Sequence, residues 1–212
     1  MNPKPLKHID LHSPVGRLEA LYRQIDEPRG VAVVCHPHPL HGGTLHNKVV
    51  FRASRGLERQ DVSTLRFNFR GAGASQGRHD NGEGEQQDVE AAIDWMQARH
   101  RGARLFLAGF SFGAWIASRV AWSRDDVAAL VLIGSPVNKY DMSYIRHAPQ
   151  PILFLQGSED EFGDVDTLAK IVEGCRNAEL IVVNGADHFF KNQVEIVEET
   201  VSEWIGEVLG KK

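Results

Sequence analysis

The stretch Leu105-Phe106-Leu107-Ala108-Gly109-Phe110-Ser111-Phe112-Gly113-Ala114-Trp115-Ile116-Ala117-Ser118 decides the fold. It opens on a short continuous apolar run, passes through Gly-x-Ser-x-Gly, and continues into residues that suit a helix. The predicted order is strand, sharp turn, helix. A serine at such a turn is held away from the sheet with its hydroxyl exposed, and the flanking glycines let the backbone bend tightly and pack closely. A serine hydroxyl is a weak nucleophile until a base takes its proton. The turn therefore gains chemical meaning only if a base and an acid follow at suitable places.

Both do. Pro151-Ile152-Leu153-Phe154-Leu155-Gln156 is an apolar run that breaks at Gly157 and leads to Asp160. Leu180-Ile181-Val182-Val183 breaks at Asn184-Gly185 and leads to His188. Each reads as a buried strand followed by a loop. Ser111, Asp160 and His188 thus stand in that chain order, each just past the C-terminal end of a strand. In open α/β sheets the ligand crevice lies along that edge. Imidazole titrates near neutrality, so it can take a proton and return it. A carboxylate behind it orients the ring and stabilises the imidazolium. Glu159, Glu161, Asp164 and Asp187 compete with Asp160 for that place.

Outward from these stretches, the pattern alternates. His8 to Gln24 alternates polar and apolar around Pro14-Val15-Gly16, as an edge hairpin does. Val31–Cys35 and Val62–Phe69 read as buried strands. Asn47 to Gln60 reads as a helix. Glu85 to His100 reads as an amphipathic helix with Val89, Ala92, Ile93 and Met96 on its apolar stripe. The final helix places Val197, Val201, Trp204, Ile205 and Val208 on one face, with Asn192 and Glu195 spaced as a capping box. Strands alternating with helices predict an α/β fold, a mostly parallel twisted sheet of about eight strands with about five or six helices on its two faces.

The 212 residues and their ordinary composition suit one globular core, and the whole chain, 1–212, reads as one domain with its core over 18–209. A formal charge of −4, with basic residues scattered rather than striped, gives no footprint for nucleic acid. No run reaches the roughly 20 apolar residues of a membrane span. The stretch Met1 to His8 lacks the apolar region of a leader. The two cysteines, Cys35 and Cys175, read as free thiols in a reducing compartment, which places the protein in the cytoplasm.

His36-Pro37-His38-Pro39-Leu40-His41-Gly42-Gly43-Thr44 and Arg66-Phe67-Asn68-Phe69-Arg70-Gly71-Ala72-Gly73-Ala74-Ser75, together with the serine turn, resemble the α/β-hydrolase fold family. More closely, they resemble its small, lidless bacterial serine hydrolases related to dienelactone hydrolase. The resemblance implies hydrolysis of an ester, a thioester or a related acyl compound, with no cofactor. It does not name a substrate. The family's Gly-x-x-Asp pattern falls on Gly157-Ser158-Glu159-Asp160 and favours Asp160 as the acid. Its lid, when present, follows the strand ending near Gly134; only Ser135 to Gln150 is available here, enough for a loop or one short helix.

An oxyanion developing on the substrate needs two backbone N–H donors. One is expected from Phe112, next to the serine. The other is expected from the loop after Val31–Cys35. Proline has no N–H, so His38 is the first choice there and Leu40 the second. Proline at position 37, where the family usually has glycine, is a departure. His36, His38, His41 and His46 invite a metal reading; the loop-building reading is preferred because acidic ligands do not fall at metal spacing nearby. Arg70 is a candidate anion-binding residue or a structural ion-pair partner. Tyr140, Met142 and Tyr144, in the segment after Gly134, are candidate pocket residues.

The expected protein is therefore a serine hydrolase acting on a small-molecule carboxylic ester or thioester through Ser111, His188 and Asp160, with an acyl-enzyme. An acyltransferase or peptidase using the same three residues is the first rival. A non-catalytic binding protein on the same fold is the second. Oligomeric state is open.

Overall fold

The computed structural model describes residues 5–210, and residues 1–4 of the N-terminal stretch discussed above lie outside them, as do the last two. Eight strands form a single sheet in the order β1-β2-β4-β3-β5-β6-β7-β8. β1 (Lys7–Ser13) and β2 (Gly16–Arg23) make the expected hairpin, and β2 pairs antiparallel with β4 (Val62–Phe67). β3 (Gly30–Cys35), β4, β5 (Leu105–Phe110), β6 (Val127–Ile133), β7 (Ile152–Gly157) and β8 (Ala178–Val183) run parallel. The five α-helices are α1 (Lys48–Glu58), α2 (Glu83–Arg99), α3 (Phe112–Trp122), α4 (Val165–Glu173) and α5 (Glu195–Gly210).

The continuous apolar runs are explained by burial on both faces. Along β3, Val31 and Val33 face the side covered by α2, α3 and α4, while Ala32 and Val34 face the side covered by α1 and α5. Successive side chains of a strand point to opposite faces, so a central strand under two helical layers has no polar side. The stripe Val89, Ala92, Ile93 and Met96 is fully buried against the first face. Val197, Val201 and Ile205 of α5 are buried against the second. α1 and α5 also pack on each other through Gly56, where a Cβ would come within 2.6 Å of the Glu198 carbonyl oxygen. The expected capping box on the last helix does not form: α5 begins at Glu195 itself, and Asn192 has a φ of 63°. A buttress of that kind occurs on α2, where the buried Glu85 carboxylate accepts the Gly82 N–H at 2.8 Å.

Two features of register position the site. Cys35 of β3 is paired with Gly109 of β5, so the loop after β3 starts beside the serine turn. Gly157 of β7 is paired with Val183 of β8, so the loops carrying Asp160 and His188 leave the same edge side by side. The segment after β6 carries only a short 3-10 helix, Ser143–His147. Among the described residues, no helix is long and apolar enough to cross a membrane.

Candidate active site

Ser111 sits between β5 and α3 with φ 57° and ψ −122°, a backbone conformation that costs a non-glycine residue about 1–3 kcal/mol. The surrounding packing enforces it. The Ser111 N–H donates to the Ile133 carbonyl at 2.9 Å, tying the turn to the end of β6. Gly113 lets α3 approach the end of β3: a Cβ there would meet the carbonyl oxygens of Cys35 and His36 at 2.5 Å each. Gly109 faces the Gly113 backbone in the same way, too close for any side chain. The two glycines are thus explained by contacts as much as by the turn.

The structure brings Ser111, His188 and Asp160 together. His188 Nε2 lies 2.9 Å from Ser111 Oγ, and His188 Nδ1 lies 2.8 Å from Asp160 Oδ2. The Asp160 carboxylate is fully buried. It also accepts the Gln156 side-chain N–H at 2.7 Å and the Phe162 backbone N–H at 2.8 Å. Three donors around one buried carboxylate offset its desolvation. They also fix the ring: an acceptor at Nδ1 makes that nitrogen the protonated one, leaving Nε2 to accept from the serine. The rings of Phe110, Phe162 and Phe189 surround the imidazole at centroid separations of 4.9, 4.7 and 5.1 Å.

The competing acids go elsewhere. Asp164 caps α4 by accepting the Thr167 N–H at 2.7 Å. Asp187 shapes the histidine loop, its Oδ1 accepting the N–H groups of Phe189 and Lys191 at 3.0 and 2.9 Å. Glu159 and Glu161 are exposed. Gln156, which in sequence reads only as the end of a strand, is fully buried; its side-chain N–H donates to Asp160 and its Oε1 accepts the Ser135 N–H at 2.8 Å.

Phe112 is the first residue of α3, so its N–H has no partner within the helix and points out of the helix end beside Ser111. On the opposite side, the His38 carbonyl accepts the N–H groups of His41 and Gly43 at 3.0 and 3.1 Å, and the His38 N–H has no acceptor among the described residues. The second choice, Leu40, is corrected: its N–H donates to His38 Nδ1 at 3.2 Å and is occupied. The loop that presents His38 is anchored by buried His36. Its Nε2 accepts the Phe69 N–H at 2.9 Å and its Nδ1–H donates to the Pro37 carbonyl at 2.6 Å. Burial holds the His36 ring well below its ordinary range, at about 4. Burial, with His79 and His41 adjacent, brings His38 to about 4 as well. Both imidazoles are therefore neutral at pH 7. Among the described residues no three His, Cys, Asp or Glu side chains converge as metal ligands do.

Three candidate pocket residues are relocated. Arg70 does not line the cleft. Its guanidinium forks onto Asp88 of α2, with Nη2 to Oδ1 at 2.8 Å and Nε to Oδ2 at 3.0 Å, and its N–H adds a third bond at 2.9 Å. Burial pulls the guanidinium down, but the Asp88 carboxylate outweighs it and holds Arg70 above its ordinary value. Met142 is buried in the core under α3. The Tyr144 hydroxyl lies 2.7 Å from Ser118 Oγ on the outer side of that helix. Tyr144 is drawn away from the crevice because the segment follows α3 away from Ser111, from Trp115 beside Tyr140 to Ser118 and Trp122 beside Tyr144. Tyr140 alone of the candidates lines the cleft, its ring stacked on Trp115 at 4.1 Å.

The cleft itself has a volume of about 510 Å³ and is open to solvent. Ser111 and His188 lie within it, and His38, Phe112, Phe162 and Phe189 contribute to its walls. Phe189, 54 % exposed, and Leu40, 69 % exposed, present bare apolar surface beside it. Phe189 follows His188 and Phe162 lies two residues after Asp160, so adjacency to the proposed acid and base was the sequence signal for both. A hydroxyl, an imidazole and a carboxylate hydrogen-bonded in series at an open cleft are the groups that nucleophilic attack on a carbonyl carbon requires.

Comparison with known proteins agrees with the fold. The chain is 37 % identical to an uncharacterized protein of Rickettsia prowazekii, covering 94 % of this chain and 89 % of the relative. An alpha-beta serine hydrolase homologue from Coxiella burnetii has a solved structure that superposes with a TM-score of 0.87 at 35 % identity, covering 97 % of this chain and 99 % of that one. A serine hydrolase without a lid from Xanthomonas campestris superposes with a TM-score of 0.88 at 31 % identity, covering 100 % and 99 %. Residues 31–209 match the family model of the alpha/beta hydrolase domain, and the chain belongs to that family.

Proposed function

We propose that the protein is a serine hydrolase that cleaves a carboxylic ester or thioester through an acyl-enzyme on Ser111. The observation that carries this reading is the hydrogen-bonded series from Ser111 Oγ through His188 to Asp160 at the wall of an open cleft. Ser111 Oγ attacks the acyl carbon as its proton passes to His188 Nε2. The oxyanion rests on the N–H groups of Phe112 and His38. Collapse expels the alcohol or thiol, which takes the proton from His188. Water then gives a proton to Nε2 and attacks the acyl-enzyme, and Ser111 leaves with that proton. Asp160 keeps its negative charge throughout and holds the Nδ1–H in place.

The test is turnover of 4-nitrophenyl butyrate by wild type and Ser111→Ala. Removing the nucleophile is expected to lower kcat by at least about 10³-fold. A fluorophosphonate should label the wild type and spare the variant. Hydrolysis at the wild-type rate by Ser111→Ala overturns the assignment. Product analysis with added alcohols and amines tells hydrolysis from acyl transfer.

A further inference from the structure

Among the residues that line the cleft there is one ammonium, Lys139, and no carboxylate. Lys139 belongs to a turn whose backbone is pinned. The N–H groups of Lys139 and Tyr140 both donate to the Pro136 carbonyl, at 2.9 and 3.0 Å. The neighbouring Asn138 is stapled to the loop after β7: its N–H reaches the Phe162 carbonyl at 3.1 Å and its side-chain N–H reaches the Glu161 carbonyl at 3.3 Å. The lysine stem therefore leaves the rim from a fixed point beside the Asp160 loop. Its Nζ lies 6.0 Å from the centre of the Phe162 ring, and that ring lies 4.7 Å from the His188 imidazole. One aromatic ring separates the ammonium from the proposed base.

Among the described residues no carboxylate pairs with this charge. The Asp141 carboxylate accepts the Ser143 N–H at 2.8 Å. Asp160 is buried and occupied by its three donors. Glu161 is exposed and is not part of the cleft wall. On the opposite wall the His38 ring is neutral. The negative charge of Asp160 is buried behind His188, so at the open rim the exposed Lys139 ammonium is the charge that a bound substrate meets. A lysine acts in such a place as a compact point charge on a flexible stem, suited to a carboxylate or phosphate at variable distance.

We propose that Lys139 makes this cleft selective for esters or thioesters that carry a negative charge in the acyl or leaving half. The inference rests on the function proposed above. The pair would be partly exposed, so its contribution is that of a rim ion pair, about 2- to 10-fold in kcat/KM.

The test compares 4-nitrophenyl hydrogen adipate with its neutral counterpart 4-nitrophenyl hexanoate, which places the charge in the acyl half. The hexanoate ester of 4-hydroxybenzenesulfonate places it in the leaving half. Wild type, Lys139→Met and Lys139→Glu are measured at low and high salt. Lys139→Met should lower the charged-to-neutral ratio about 2- to 10-fold in one arm, and Lys139→Glu should lower it further. The ratio of the wild type should fall toward that of Lys139→Met as salt is added, while neutral-ester turnover stays within about twofold. The arm that responds assigns the half. Ratios unchanged in both variants and both arms, with Ser111-dependent cleavage of the neutral ester intact, overturn this inference alone. Cleavage that survives Ser111→Ala instead refutes the proposed function. Calorimetric titration of the Ser111→Ala protein with the anion of the responding arm, adipate for the acyl half or 4-hydroxybenzenesulfonate for the leaving half, gives a reading independent of turnover: binding must weaken in the Ser111→Ala, Lys139→Met double variant, and equal binding overturns the proposal.

Discussion

Replacing Arg70 with methionine separates two roles that the sequence left open for this residue. The guanidinium makes two side-chain bonds to Asp88, and the Asp88 side chain has no exposed surface. Methionine fills a similar volume and removes the charge, so the Asp88 carboxylate is left buried without its cation. Burial already pushes that carboxyl up, and Arg70 is what opposes the rise. Breaking a buried pair from one side costs about 3–5 kcal/mol. For a chain of 212 residues, with unfolding entropy of about 2.1 cal/mol/K per residue, this corresponds to a fall in Tm of about 7–11 °C. The double variant Arg70→Met, Asp88→Asn removes the orphaned charge while its side-chain oxygen can still accept the N–H of residue 70, and should recover most of that loss. The assay is thermal unfolding of wild type, both single variants and the double variant, with kcat/KM for one charged and one neutral ester beside it. Because Arg70 lies outside the cleft, the ratio of charged to neutral turnover should not change in Arg70→Met. A Tm within about 1 °C of wild type, or a collapse of that ratio without loss of stability, refutes the reasoning.

Two further outcomes are expected. In Gly113→Ala the new Cβ meets two backbone oxygens at the end of β3, so α3 must shift and carry the Phe112 N–H with it. Stability should drop by about 1–3 kcal/mol by urea unfolding and kcat by about 10²-fold or more, the cost of a misplaced oxyanion donor; a fully active variant would show that the close approach is not needed. The second concerns acid. His36 is neutral down to about 4 in the folded chain, whereas an unfolded histidine titrates near 6.5. Its folded value is depressed, so its contribution is complete above about pH 6.5 and shrinks as pH falls, because the unfolded state takes up the proton first. The loss reaches about 3 kcal/mol near pH 4. Plotted against pH from 7 to 4, the Tm of His36→Gln should fall less steeply than that of wild type; parallel curves would remove His36 as the source.

Much of the site was legible in the linear chain. Apolar runs ending at Gly157 and Gly185 mark strands and their exits, and parallel strands must all exit at one edge. The order of Ser111, Asp160 and His188 at such exits therefore already implied that they converge. The positions of Pro37 and Pro39 narrowed the donors of the loop after β3, since a missing N–H is a property of the residue itself. What the linear chain left open were the places of Arg70, Met142 and Tyr144, each settled by a partner from another element. Arg70 was a possible anion site until Asp88, eighteen residues on in α2, took its charge. Tyr144 and Met142 share a segment with Tyr140, yet only Tyr140 reaches the cleft, because the chain follows α3 from Trp115 toward Trp122 and so leaves the Ser111 end of that helix.

The sequence by itself determined the α/β alternation, the glycine-flanked serine and the order in which Asp160 and His188 follow it, all of which come from local periodicity and from the identity of single residues. Tertiary structure alone decided where the four rival acids go, that Gln156 holds Asp160, that the Leu40 N–H is occupied, and that Lys139 lines the cleft with no acidic partner among the described residues. The physical reason is the same in each case. A polar side chain is assigned its role by what is within about 3 Å of it, and packing brings those neighbours from distant parts of the chain.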